Sequence, residues 1–546
     1  MDELFSADGG RGVRAMKAFT LVVGAAMAFL ALWVIVARLL NPIDAEWMVG
    51  AVRDTVERAR DGQPIYDKPS ARFIAFLYPP LYYWTAGLLA RVCSTFVACK
   101  VVSLTATAAT LWAVARLARA LGASRLWVTL AVLLQASTYS TTLFFHDLER
   151  VDSFAAAVIV VGVVVLVTAH DARQTAIGGA ILGLSFFAKQ PGLPVFLAAV
   201  AGLFLAGERR RAAVAALAGG AVFVALFAYL EISTGGWFRY YCVALPRTHG
   251  VEPVLLTTFL VEDVPKTFAL TAASVAILLP TASAIVRRKP GGFSREEIVF
   301  AACLGAAMVG AFMLRTHRGG WANVILVWTP LASAATGIVA SRLESRATSM
   351  LLLTGTSLQL LAGIFDPNDN SPDDEDVRFA KITEESVRHL EKEGEVIVTA
   401  TGNLTRERHF HSAALYDVLR AGDPPPTELV ENLRARKYSA IFVGSADEFS
   451  CTFRGCADLG DATLRNYFVA ARLHERKKMG MVGYDERPRF ILRPRKTPIV
   501  GLDHQALGRR ARVEAAIADA RRWAAGPDSV PVVEADIEDL AASVSP

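Results

Sequence analysis

Ala18 to Leu40 is a long apolar run, and about 20 such residues cross a bilayer as a helix. Similar runs recur as far as Phe365, separated by short charged loops. With 53% apolar residues and a mean hydropathy of +0.37, the chain reads as an α-helical polytopic membrane protein. Lipid offers the backbone no hydrogen-bond partners, so helices are the form open to runs this long and this apolar. The net charge is +5. Its basic residues cluster in loops, which reports topology and argues against nucleic acid as a partner.

Charge placement orients the chain. Met1 to Lys17 carries Arg11, Arg14 and Lys17, so the N-terminus is expected in the cytoplasm. The first apolar run lacks a small-residue cleavage site and reads as a retained helix. Residues 41–73 then lie outside. Residues 73–90 are apolar enough to span, but Pro79-Pro80 and the Tyr78, Tyr82, Tyr83 and Trp84 cluster suit an interface. If this stretch spanned, Arg209-Arg210-Arg211 and Arg287-Arg288-Lys289 would face outward. It is therefore expected to be a juxtamembrane or re-entrant helix. Further spans are expected near 97–117, 126–145, 153–169, 174–188, 192–206, 212–231, 265–286, 297–314, 322–340 and 347–365. The total is about eleven, in a transmembrane domain of residues 1–365 with the C-terminus outside.

After Phe365 the composition turns soluble. Residues 366–376 form an acidic linker; a calcium loop there would need a glycine at its sixth position and a glutamate at its twelfth, where Ser371 and Val377 stand. Residues 377–525 predict an extracytoplasmic α/β domain, with helices at 377–393, 413–420 and 503–524 and strands at 395–400, 440–444 and 489–493. Residues 526–546 are expected to be a flexible tail. Cys451 and Cys456 could form a local disulfide in an oxidising compartment.

The chemistry gathers at the expected outer ends of helices. Asp44 and Glu46 follow the first span, and Asp147, Glu149 and Asp152 sit between two later ones. Carboxylates at that depth are costly unless paired, hydrated or used. Arg150, Lys189, Arg247, His249, Arg315, His317 and Arg318 fall on the same side. Acids beside clustered cations at an interface suit a lipid with an anionic headgroup: an Asp takes a proton from a hydroxyl, and Arg and Lys stabilise a departing phosphate. Each residue has a plainer reading. Asp44, Glu46 or Asp152 could cap a helix, Lys189 could snorkel, His249 and His317 could be structural, and the tyrosines could form an interfacial belt.

Four short motifs, in order and on one side, carry a resemblance. Pro42-Ile-Asp-Ala-Glu46, Tyr78-Pro-Pro-Leu-Tyr-Tyr-Trp84, Glu149-Arg-Val-Asp-Ser153 and Ala188-Lys-Gln190 resemble motifs of the GT-C superfamily of membrane glycosyltransferases. The chain is similar to the bacterial protein mannosyltransferases and lipid A aminoarabinose transferases within it. The resemblance implies a GT-C-like fold in a bacterial inner (cytoplasmic) membrane and a polyprenyl-phosphate sugar as donor, with an acceptor that the sequence does not identify. It implies Asp44 as catalytic base, with Glu46 and Asp152 in support, and Arg150, Lys189 and Arg318 on the donor phosphate. Tyr78, which stands where the family often has a phosphate-binding lysine, joins Tyr82, Tyr83 and His249 as acceptor- or sugar-binding. Some relatives use a divalent cation such as Mg or Mn, for which Asp44 and Asp152 are the candidate ligands. Two other classes compete. A lipid-linked-sugar transporter or flippase predicts charges at mid-membrane and inverted repeats, and a non-catalytic envelope scaffold predicts no effect of Asp44→Asn on glycan content.

Overall fold

The structure is a computed structural model that describes residues 11–287, 292–399, 401–402, 404–445, 456–473 and 488–525. The Cys451–Cys456 pairing, the Arg288-Lys289 end of one basic loop and the tail 526–546 lie outside the described residues.

The membrane part begins with α1 (Arg11–Leu40), the short α2 (Val49–Arg60) and α3 (Leu81–Leu89). It continues through α4 (Thr95–Ala120), α5 (Arg125–Thr141), α6 (Val151–Val167), α7 (Ala172–Ser185), α8 (Gly192–Leu205) and α9 (Arg209–Ser233). After short helical turns over residues 237–267 come α10 (Phe268–Val286), α11 (Arg295–Thr316), α12 (Thr329–Arg342) and α13 (Arg346–Ala362). Among the described residues five helices, α1, α4, α9, α10 and α11, are long and apolar enough to cross a membrane by themselves. α6 and α8 are apolar but shorter. α10 starts later than expected because Val264–Lys266 turns separately, and α12 starts later because residues 322–327 form a 3-10 stretch.

Starts follow local chemistry. Ser94 accepts from the amide of Val97 at 3.3 Å to open α4, and Asp171 accepts from Gln174 at 2.8 Å to open α7. Ser294 and Glu297 form a reciprocal cap on α11. α7 and α9 cross at small residues: a Cβ on Gly183 would lie 2.2 Å from the carbonyl oxygen of Gly219, and one on Gly179 would lie 2.5 Å from that of Ala215. Only hydrogen fits at such a crossing.

Residues 73–90 do not span. They hold one nine-residue helix, α3, preceded by irregular chain. Arg38 in the last turn of α1 and Lys100 near the start of α4 both bind Asp147, at 3.0 and 3.4 Å. The chain therefore leaves α1 and enters α4 at the same end of the bundle. The basic loops gather at the opposite end, where Arg211, Arg295 and Arg342 donate to the carbonyls of His170, Val167 and Leu121.

Beyond α13 the acidic stretch is partly built into the fold. Asp373 and Asp376 form the reciprocal cap of α14 (Asp374–Leu390), and the carbonyl of Asn370 accepts from Arg38 at 3.1 Å. The α/β part continues with β1 (Val396–Val398), α15 (Ser412–Arg420), α16 (Thr427–Arg434) and β2 (Ala440–Val443). It ends with α17 (Cys456–Asn466), β3 (Tyr467–Arg472), β4 (Phe490–Pro494) and α18 (His504–Ala525). The four strands lie in the order β1-β2-β4-β3. β1 runs parallel to β2 with Val396 opposite Ala440, while β4 is antiparallel to both β2 and β3. This domain shares one apolar core with the first loops: Val52, Tyr82 and Ala86 belong to the same cluster as Leu415, Leu419 and Tyr438. A helical membrane bundle joined to an α/β domain is the class the sequence predicts.

Candidate active site

The two acidic groups meet. α2 packs against α3 and α4, and the Phe145–Arg150 turn links α5 to α6, so residues far apart in sequence share one buried network. Arg150 is its centre. It donates to Glu46 Oε1 at 2.7 Å and to the Tyr78 hydroxyl at 2.7 Å, and its Nε lies 3.9 Å from Asp152 Oδ2. Its guanidinium also lies over the rings of Tyr78 and Phe145, each 5.4 Å away. Asp152 Oδ1 accepts from Lys189 at 2.6 Å and from Asn323 at 2.9 Å. Glu46 Oε2 accepts from the amide of Met48, the residue before α2, at 3.0 Å. Asp152 stands in the first turn of α6 and not at its cap, which is Arg150. Its carboxylate points across to Lys189.

A second branch lies alongside. Arg53 of α2 binds Asp44 and lies 3.7 Å from Glu149, which is also 3.6 Å from Lys100. Asp147 collects Arg38, Lys100 and, at 2.7 Å, the hydroxyl of Tyr139. Burial pushes the Asp147 carboxyl up, but Arg38 and Lys100 outweigh it and hold the group below the usual carboxylate range. The acids differ in access. The side chains of Glu46, Asp147, Glu149 and Asp152 are at most 2% exposed, whereas Asp44 keeps 22%.

The remaining expected site residues fall in different places. Tyr78 is in the network, and burial pushes its phenol up to about 12. Tyr82 is buried against α4, its hydroxyl 3.4 Å from Ser103. Tyr83 is buried too, and its hydroxyl has no described partner. His249 turns to the C-terminal domain and meets Asp417 at 3.0 Å. Arg318 pairs with Glu252 and is half-exposed. Arg38, Arg53, Lys100 and Asn323 enter the network without having been singled out by sequence. The signal for Arg38 and Lys100 is a cation inside an apolar helix.

Asp44 and Asp152 each already hold a cationic side chain. Among the described residues no group of three His, Cys, Asp or Glu comes together in a metal-binding arrangement.

No family model and no curated protein matches the sequence. Solved structures do. The crystal structure of ArnT from Cupriavidus metallidurans bound to undecaprenyl phosphate matches with a TM-score of 0.53 at 11% identity, over 86% of this chain and 97% of that one. The chain has the fold of ArnT. The apo crystal structure of the same protein gives a TM-score of 0.49 at 11% identity, over 86% of this chain and 98% of that one. The likeness to ArnT is one of overall fold, and it spans nearly the whole of the ArnT chain.

Proposed function

We propose that the protein is a membrane glycosyltransferase that moves a sugar from a polyprenyl-phosphate donor to an acceptor hydroxyl on the extracytoplasmic face. One observation carries this reading. The first and second acidic groups, Lys189 and Tyr78 converge at one end of an ArnT-like bundle, with Asp44 the acid left accessible. Two further points support it. The ArnT structure holds undecaprenyl phosphate, the kind of anionic lipid that such a cluster suits. The end that carries the acids lies opposite the basic loops, which the positive-inside rule assigns to the cytoplasm.

The network pairs each cation with a carboxylate, so an incoming phosphate must draw a cation toward itself. Lys189 suits that role. An ammonium has three donors, and Asp152 takes one of them among the described residues. Arg150 stays tied to Glu46 and holds Tyr78 in place, and the phenol, still protonated at neutral pH, keeps its O–H to donate. In the reaction the acceptor oxygen bonds to the sugar C1 while the C1–O bond to phosphate breaks. The electron pair leaves with the polyprenyl phosphate, and the acceptor proton passes to the Asp44 carboxylate, which Arg53 orients. Arg318, paired with Glu252, has no part in this scheme.

The test is turnover of polyprenyl-phosphate sugars by the purified protein in lipid. Release of polyprenyl phosphate matched by transferred sugar is expected. Movement of intact donor across vesicles with no release would overturn the reading in favour of a flippase.

A further inference from the structure

The α/β domain meets the first acidic loop and the start of α2 at closely fitted points. At the first, the ring of His411 caps its own helix: Nδ1 accepts from the amide of Ala413 at 3.1 Å. That leaves the ring proton on Nε2, which donates to the carbonyl oxygen of Trp47 at 3.1 Å. The ring lies 5.0 Å from that of Trp47 and 5.7 Å from that of Phe76, and the residue is 4% exposed. Trp47 directly follows Glu46, whose carboxylate accepts from the next amide, that of Met48.

The second point is backbone on backbone. A Cβ on Gly402 would lie 2.4 Å from the carbonyl carbon of Gly50 and 2.5 Å from the amide of Ala51. A Cβ on Gly50 would lie 2.7 Å from both Asp44 Oδ2 and the amide of Gly402. Asp44, the start of α2 and the C-terminal loop therefore meet with room for hydrogen only. The helix that His411 opens also holds the opposite wall. Asp417 within α15 binds His249, and Asp423 just beyond it accepts from the Tyr240 hydroxyl at 2.6 Å.

We propose that α15 is a strap that positions the Asp44–Glu46 loop for the reaction, with His411 as the positioning residue acting through the Trp47 carbonyl. The inference rests on the proposed glycosyltransferase activity for its consequence but not for its geometry. A loop between α1 and α2 has few backbone bonds of its own, and a fixed carbonyl one residue from Glu46 limits how far Asp44 can drift. Small displacements of a catalytic group are costly in rate.

The test compares His411→Ala, His411→Gln and Gly402→Ala by hydrogen exchange and by donor turnover in the full-length protein. In His411→Ala, amides 46–50 are expected to exchange roughly tenfold faster, the loss of about one hydrogen bond, while strand amides of β1 and β2 keep their protection. Its kcat should fall with KM for donor nearly unchanged. His411→Gln, whose side-chain amide reaches the same carbonyl, should restore both. Gly402→Ala should reproduce the faster exchange with His411 intact. Unchanged exchange at 46–50 in both His411→Ala and Gly402→Ala would overturn the proposal. So would loss of protection throughout the α/β domain, which would make His411 a folding residue. Faster exchange at 46–50 in a protein whose wild type transfers no sugar would keep the strap and remove the glycosyltransferase reading.

Discussion

At the scale of single residues, burial divides groups that the sequence leaves equal. Asp147 sits among Arg38, Lys100 and Tyr139, and taking one partner from such a buried set costs about 3–5 kcal/mol. Asp44 keeps solvent access beside Arg53. The neighbouring His146 shows what burial does to a titrating group. Its ring touches Thr142 Oγ1 at 3.2 Å and Thr138 Oγ1 at 3.4 Å, and burial holds it down to about 4, with Asp147 pulling only partly the other way. The folded protein therefore binds this proton less readily than the unfolded chain does. Stability is expected to be intact above the usual His value of 6.5 and to be lost as pH falls toward about 4, by on the order of 3 kcal/mol. Thermal unfolding of wild type and His146→Gln across that range checks this; the variant should show a flatter profile, and identical profiles would contradict it. Glu46, Arg150, Asp152, Lys189 and Tyr78 were legible in the sequence because they lie in short motifs next to apolar runs. Arg53 was not, because it sits in an amphipathic helix whose polar face reads as solvated, and its contact with Asp44 depends on how α2 packs.

At the scale of elements, helices form close to the expected apolar runs, because lipid demands length and apolarity from each segment alone, and five of them among the described residues are long and apolar enough to span by themselves. Hydropathy misjudged how α10 and α12 begin, where the chain turns irregularly within apolar sequence. It could not say which helices touch. The α7–α9 crossing rests on Gly179, Gly183, Ala215 and Gly219, a small-residue spacing visible in sequence but specific only once the partner is known. Gly183→Val is expected to cost about 1–3 kcal/mol through overpacking, seen as a lower melting temperature of the purified protein. Gly220→Ala, one position beyond the crossing and with open space around it, should leave the melt unchanged. An equal effect of both would contradict the crossing. In the C-terminal domain β3 follows α17 at Asn466–Tyr467 with no Gly or Pro between them, so no breaker marked the boundary. α16 was missed although Pro426 and Glu428 mark its start.

At the scale of the whole molecule, the site exists only when distant parts come together. The end of α1, the turn before α6, Lys189 before α8 and Asn323 before α12 supply the charged network, and the α/β domain closes on the first loop through His411 and Gly402. None of these parts carries the arrangement alone, which explains why the carboxylates, Arg150 and Lys189 were legible in sequence while Arg38, Arg53, Lys100 and Asn323 were not. Asp44, paired with Arg53 at the open side of the network, is expected to matter more for chemistry than for folding. Sugar transfer from a polyprenyl-phosphate donor, measured with purified wild type and Asp44→Asn at equal donor occupancy, tests this most directly. The expected result is a loss of roughly 10²–10⁴-fold in transfer rate with donor binding retained. Equal transfer by the two proteins would contradict it.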